Sequence, residues 1–597
     1  MSSDAKIDAP IQGGETRPLL FTPSRIGGVE IKNRIVMPSM TTRAADKDGF
    51  VTDDTLAYYC ERADGGVGLI TVEMASPEKA GRHRNFELGI YDDRFVPGLS
   101  RLVDALHERN AKVSIQLGHA GGHTRPDVTG GEPPVAPSAI AHVVQEGTTE
   151  TIIPEAMSHE RIEQAIDAFA EAAARAERAG FDVVEVHAAH GYLISQFLCP
   201  AENLRHDEYG GSLENRARFG IAIVRRIKAR VPGLPVIFRL NGDDFVPGGM
   251  TSEEARQVAI WAAESGADAI HVTGGHYRSL PSAAVMIPPM AMPDATFLHF
   301  AADIRAHVKV PVIAVGRLGD PELALRAVQD GHADFVALGR PLLADPEWVN
   351  RAMHGKAVRM CIACNSCVDG MRSGERLHCL VNPMAGRERL FGTATERANR
   401  VPNGLKIAVV GTGPAGLSYA ALVAHRNLVT IFEKHDTAGG AFRLAGLAPK
   451  FQGVEASPTS LPRYIASLER RCREAGAAFV FGCDIARDIG RLEGFDLIVL
   501  ATGANYRAGL GLIPALLRAG LARLPGLRSV ASNPAIRDWF YHRARVSSAR
   551  RLQNRFATKT VLVIGDAATP GKSDAAIRSA FDAALQIPTG LRADRAG

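Results

Sequence analysis

An α/β protein with an N-terminal (β/α)8 barrel and a C-terminal Rossmann-like domain is what the sequence predicts, on three observations. Eight short aliphatic runs alternate with helical stretches between Arg34 and Leu338, glycine and cationic residues gather where those runs end, and a second strand-glycine-helix pattern begins near Leu405. With 597 residues the chain exceeds what one hydrophobic core supports, so several domains are expected. Hydrophobic content of 46% with 22% charged residues is ordinary globular composition rather than disorder.

The eight runs are R-I-V-M-P near 34, V-G-L-I-T-V-E near 67, K-V-S-I-Q-L near 112, D-V-V-E-V-H near 182, P-V-I-F-R-L near 235, D-A-I-H-V-T near 268, P-V-I-A-V-G near 311 and D-F-V-A-L-G near 334. Continuous apolar runs separated by helices predict parallel strands covered on both faces, and eight such units close into a barrel. Gln116, His187, Arg239, Thr273, Gly316 with Arg317, and Gly339 with Arg340 all fall at C-terminal strand ends, the face where such barrels place their chemistry. The two Gly-Arg pairs suit an anionic phosphate, because glycine lets backbone N–H groups approach and arginine adds charge. The bland alternative for each arginine is a solvated strand cap.

The segment H-A-A-H-G-Y-L-I-S-Q-F-L (His187 to Leu198), followed by D-E-Y-G-G-S-L-E-N-R-A-R-F (Asp207 to Phe219), resembles the old yellow enzyme family of NADH:flavin oxidoreductases over about residues 17 to 390. The resemblance implies FMN in the barrel, with Pro38, Met40 and Thr41 beside the flavin, Gln116 and Arg239 on its polar edge, and the Gly-Arg pairs on its phosphate. It also implies that His187 and His190 bind a substrate carbonyl or anionic oxygen and that Tyr192 donates a proton. A tyrosine can do so because its ordinary pKa near 10 keeps the proton in place until a developing enolate accepts it. His276, in T-G-G-H-Y-R, resembles a substrate-site histidine of the family's dienoyl-CoA reductase branch after a one-residue gap, with a solvent-facing loop histidine as the alternative.

Eight cysteines are too few for a disulfide framework, yet Cys361, Cys364, Cys367 and Cys379 fall within nineteen positions. Three thiols spaced by two residues with a fourth after eleven more is the spacing of a 4Fe-4S cluster, with zinc as the inferior reading. The flanking C-N and C-L-V-N-P residues resemble the 4Fe-4S branch that contains 2,4-dienoyl-CoA reductase and trimethylamine dehydrogenase. Cys60, Cys199, Cys472 and Cys483 are scattered and read as ordinary buried thiols.

After a linker around Thr393 to Gly404, L-K-I-A-V-V-G-T-G-P-A-G-L carries Gly411, Gly413 and Gly416 from a strand into a helix, and V-T-I-F-E-K places Glu433 at the end of the next strand to meet a ribose hydroxyl. The runs at Leu497 to Ala504 and Val561 to Ala567 resemble the FAD lobe of two-dinucleotide reductases, which implies FAD, with ADP as fallback, and Asp566 near the flavin's side chain. The predicted domains are therefore a barrel over 17–355, a cluster segment over 356–392 and a dinucleotide domain over 403–590.

Residues 505–560 hold no second glycine motif, so a complete NAD(P)H lobe is expected to be missing. That stretch carries Arg507, Arg518, Arg523, Arg528, Arg537, Arg543, Arg545, Arg550, Arg551, Arg555 and Lys559 against Asp538 alone, a local charge of +10 on a chain of +4. A solvated remnant, a dock for an acidic electron carrier, and a membrane-surface contact stay open for it.

No signal peptide, membrane span or nucleic-acid signature is evident, so a cytoplasmic enzyme acting on a small molecule, and forming a homo-oligomer, is expected. The leading expectation is NAD(P)H-dependent reduction of an activated C=C bond in an enoyl or enone substrate. The alternatives are an N-methylated amine dehydrogenase passing electrons to an external flavoprotein, and an electron-transfer subunit without substrate chemistry.

Overall fold

The computed structural model describes residues 18–143, 151–445, 459–506 and 560–586, with scattered positions between 526 and 554. All eight aliphatic runs form strands of one closed parallel barrel: β1 (Ile35–Met37), β2 (Leu69–Ala75), β3 (Lys112–Leu117), β4 (Val183–Ala188), β5 (Val236–Asn241), β6 (Ala269–Thr273), β7 (Val312–Ala314) and β8 (Phe335–Ala337). Every residue of β2, β4, β5 and β6 is buried, as expected for strands packed inside and out. The connecting helices start on strong caps. Thr52 and Thr251 form capping boxes, and Ser158 and Ser212 accept the third backbone N–H of their helices.

The second domain is a five-stranded parallel sheet built from β9 (Lys406–Val410), β10 (Leu428–Phe432), β11 (Ala478–Val480), β12 (Leu497–Leu500) and β15 (Thr560–Val563). Its spatial order is β11-β10-β9-β12-β15, that of a Rossmann-like sheet. Between β12 and β15, β13 (Ala504–Tyr506) and β14 (Arg545–Ser547) pair antiparallel, so the chain that leaves the sheet returns to it on a two-stranded stem. Most of the basic stretch, including Arg507, Arg518, Arg523, Arg528, Arg537, Arg550, Arg551, Arg555 and Lys559, lies outside the described residues, and the expectation of a missing NAD(P)H lobe lies there too.

The cysteine segment lies between the two cores. Arg62, buried in the helix Asp53–Asp64, pairs with Glu388 beyond Cys379 and stacks 4.0 Å over the Tyr58 ring. Across the domain boundary Arg471 reaches Asp345 at 2.7 Å and Arg463 reaches Asp294 at 2.6 Å. These pairs hold the Rossmann-like sheet against the C-terminal face of the barrel. Among the described residues no helix is long and apolar enough to cross a membrane.

Candidate active site

One cavity opens at the C-terminal ends of the barrel strands, and it gathers the residues expected at a flavin. Pro38, Met40 and Thr41 after β1, Gln116 on β3 and Arg239 on β5 line it, as do Gly316, Arg317, Gly339 and Arg340 after β7 and β8. His187, His190 and Tyr192 from the end of β4 line the same cavity. Cys361 and Cys367 reach its wall, so the cysteine segment touches the space expected for the flavin.

The organiser of the polar edge is a residue the sequence reading passed over. Glu185, wholly buried on β4, accepts from Gln116 Nε2 at 2.7 Å, meets His271 Nδ1 at 2.6 Å and lies 3.7 Å from an Arg239 terminal nitrogen. Burial works against its charge, but His271 and Arg239 more than offset it and hold the carboxyl at about 2. Gln116 and Arg239 are thereby aimed before anything binds. A polar residue in the middle of V-V-E-V-H, at a fully buried strand position, was the signal available.

Two observations test whether a flavin fits. Arg239 Nε and Arg317 Nε are buried without a hydrogen-bonding partner, as donors awaiting a polar ligand would be. Gly316 sits at φ +106°, a conformation that glycine alone adopts easily, and a Cβ there would come within 2.7 Å of Phe297. The terminal nitrogens of the two Gly-Arg arginines, Arg317 and Arg340, are already engaged. Arg317 holds Asp294 at 2.6 Å, while Arg340 bonds Asn365 of the cysteine segment and the Pro288 carbonyl. Arg340 therefore also ties the barrel rim to the cysteines.

At the substrate end, His187 and His190 stand 5.1 Å apart, ring to ring. Burial, reinforced by the Arg239 charge, pushes both well below the usual histidine range, so they act as neutral imidazoles. His190 Nε2 meets Thr273 Oγ1 at 3.0 Å, and its backbone takes a left-handed φ of +64°, a strain of the kind found at functional sites. His187 Nδ1 is buried with no partner. The Tyr192 hydroxyl is 2.9 Å from His83 Nδ1, and the Tyr192 and Tyr277 rings lie 5.7 Å apart, centre to centre. Arg84 and Arg372 pull the Tyr277 hydroxyl down against its burial, whereas burial pushes Tyr192 well up. His83 and Arg84 carry no signal in the sequence because they follow β2, more than 100 positions from Tyr192, in a loop that no motif marks, whereas Tyr277 stands out in T-G-G-H-Y-R as the aromatic candidate of its loop.

His276 is not brought into the cavity. It bridges backbone to backbone with His190, but its ring turns away, with Nε2 3.6 Å from Glu202. A Cβ on Gly191 would lie 2.7 Å from that ring, so glycine at 191 is what lets the two strand ends close together.

The four cysteines are free thiols in one neighbourhood. Burial first, and then Cys361, Cys367 and Cys364, push the Cys379 thiol far up. No three of them are among the described groups whose donor atoms all lie within 4.8 Å. A single tetrahedral zinc with bonds of about 2.3 Å would need sulfurs about 3.8 Å apart, closer than any three of these thiols stand as a set. Of the remaining cysteines, Cys199 and Cys472 are buried as expected, and Cys60 and Cys483 are half-buried.

In the second domain Gly411 (φ +109°) and Gly416 are sterically required. A Cβ on either would come within 2.5 Å of a backbone oxygen, whereas Gly413 faces open space. Glu433 stands where expected but already accepts from Thr412 Oγ1 at 2.6 Å and from His435 N at 3.0 Å. Asp566 is engaged by Arg545 at 2.6 Å and by the Gly571 N–H.

Comparison with known proteins agrees with this geometry. Residues 19–358 match the model of the NADH:flavin oxidoreductase / NADH oxidase family, and residues 409–450 match an NAD(P)-binding Rossmann-like domain. An NADH oxidase of Thermoanaerobacter brockii is 38% identical over 82% of this chain and 73% of its own. A cinnamate reductase of Clostridium sporogenes is 32% identical over 82% of this chain and 74% of its own, and a probable N-methylproline demethylase of Rhizobium meliloti is 31% identical over 81% and 70%.

Proposed function

The chain belongs to the NADH:flavin oxidoreductase / NADH oxidase family, and from that premise we propose that it reduces an activated C=C bond of an enoyl or enone substrate at the expense of NAD(P)H. The family is a flavin-dependent oxidoreductase family, so the chain is an enzyme of that class. FMN in the barrel cavity would supply the hydride transfer, and a 4Fe-4S cluster on Cys361, Cys364, Cys367 and Cys379 would supply single-electron transfer toward the second domain. FAD is the proposed occupant of the Gly411–Gly416 turn.

The observation that carries the reading is Tyr192. It lines the cavity together with the two neutral imidazoles of His187 and His190, the first with an unpartnered buried nitrogen. His187 and His190 would hold the carbonyl oxygen and steady the charge that develops on it, and Tyr192 would deliver the proton to carbon. Contact with His83 and Tyr277 keeps the hydroxyl oriented between turnovers. Arg84 on the same wall favours an anionic or strongly polarised substrate.

The amine-dehydrogenase alternative draws on the demethylase relative. A cationic amine, however, would meet the guanidinium of Arg84 and the buried charge of Arg239, with only Tyr192 and Tyr277 as aromatic walls at this end. Anaerobic mixing of the protein with NADH, NADPH and N-methylated amines separates the two. Flavin bleaching by a nicotinamide, reversed by an enone, is expected. Bleaching by amines and by neither nicotinamide would overturn the reading.

A further inference from the structure

Beyond Tyr277, outside the cavity, three buried side chains face one another with nothing to bond. His123 comes from the loop after β3, His142 from the excursion that follows, and Glu202 from the turn after the helix Leu193–Leu198. They are 3%, 3% and 1% exposed. One donor atom from each lies within 4.8 Å of the other two, and His142 Nδ1 is 3.7 Å from Glu202 Oε1. Both ring nitrogens of His123, Nδ1 of His142 and both carboxylate oxygens of Glu202 have no hydrogen-bonding partner. A buried polar atom left unpaired is costly, so five in one place call for an occupant.

We propose that His123, His142 and Glu202 bind one divalent transition-metal ion of the zinc type, separate from the cysteine site. Two neutral imidazoles and a carboxylate are a donor set that zinc accepts while keeping a fourth position open. The set contains no sulfur and so differs in kind from the four thiols near the flavin cavity. Burial pushes both histidines below their usual range, His142 to about 4, leaving them in the neutral form that ligates, and it pushes the Glu202 carboxyl up to about 8, so an ion binding there displaces the Glu202 proton. Donor atoms around a tetrahedral ion at about 2.1 Å stand about 3.4 Å apart, so the observed group closes onto an ion by small side-chain rotations.

The surroundings are those of an outer layer. His276 Nδ1 accepts the Arg278 N–H at 3.1 Å, which places the His276 proton on Nε2, 3.6 Å from Glu202 Oε2. His276 therefore turns its N–H toward the carboxylate, beyond hydrogen-bond distance, and its protonated nitrogen is not one that ligates the ion. Arg278 in turn reaches the carbonyl of Ala141, next to His142, at 3.0 Å. The ion would join three loops of the barrel mouth behind the substrate wall, since the His123 ring lies 5.4 Å from that of Tyr277. The exposed group His159, Asp207 and Glu208 makes no comparable case, because His159 is already bonded to Asp207 at 2.9 Å. It serves as the control.

The test is metal analysis of the anaerobically purified holoenzyme after equilibration with zinc chloride and desalting. About one tightly held zinc per chain is expected beside the cluster iron, with an X-ray absorption spectrum showing nitrogen and oxygen ligands and no sulfur. Glu202→Gln, and independently His123→Asn should the first fail to fold, lower the zinc at least roughly tenfold with iron and flavin unchanged. His159→Ala leaves it unchanged. Wild-type protein without zinc, zinc that persists in both variants, or a sulfur ligand shell would overturn the proposal. The first of these outcomes would mean that buried water fills the space.

Discussion

Removing the Tyr192 hydroxyl is the sharpest perturbation of the proposed chemistry. The side chain is 7% exposed, its oxygen is 2.9 Å from His83 Nδ1, and the His187 ring is 4.8 Å away, so bulk water has little access to replace it. A positioned general acid contributes about 10²–10⁴-fold, or about 2.7–5.5 kcal/mol of barrier. Tyr192→Phe should therefore slow re-oxidation of the reduced flavin by an enone by that factor. Flavin reduction by NAD(P)H, which needs no proton from Tyr192, should stay within about twofold. Anaerobic stopped-flow absorbance at the flavin band reads the two half-reactions separately. Because burial pushes the tyrosine pKa well above its ordinary value, the wild-type enone step should also be flat over roughly pH 6 to 9. The variant leaves His83 without its partner, which costs about 1–3 kcal/mol of stability, so a melting curve must accompany the kinetics. Equal slowing of both half-reactions, or an enone step less than about tenfold slower, would refute the assignment.

Three further outcomes are expected. Glu185→Gln leaves Arg239 buried without its counter-charge and should destabilise the barrel by about 3–5 kcal/mol, with flavin lost on gel filtration; denaturant unfolding and flavin content check both. Cys379→Ala should abolish the iron-sulfur absorption and most of the iron while the barrel still retains FMN, read by iron analysis and by extraction of the flavin. Glu73 and Glu87 are each pushed by burial from 4.5 to about 7. They are protonated in the folded chain where the unfolded chain has already ionised them. Their contribution to stability is complete below about pH 4.5 and is lost as the pH rises through about 7. Melting temperature should fall across that window, and the Glu73→Gln, Glu87→Gln double variant should flatten the fall. A wild-type profile that rises there, unaffected by the substitutions, would contradict the burial argument.

The sequence by itself determined the barrel, the cysteine quartet and the glycine turn, because each depends on local pattern. Buried parallel strands must be continuously apolar, thiols that share one cluster must lie close along a loop, and Gly411 and Gly416 face backbone oxygens where no side chain fits. Positions carried over from a local motif, such as His187, His190 and Tyr192, likewise came together in one cavity. Only the tertiary structure decided which distant groups complete that cavity. His83 and Arg84 meet Tyr192 and Tyr277 because the loop after β2 folds over the barrel mouth, a contact more than 100 residues long that leaves no periodic trace. The same closure turns His276 away from the substrate and toward Glu202, and it brings His123 and His142 to face that carboxylate. Side-chain direction at a loop end is set by what packs against it, and a one-dimensional pattern holds no record of that.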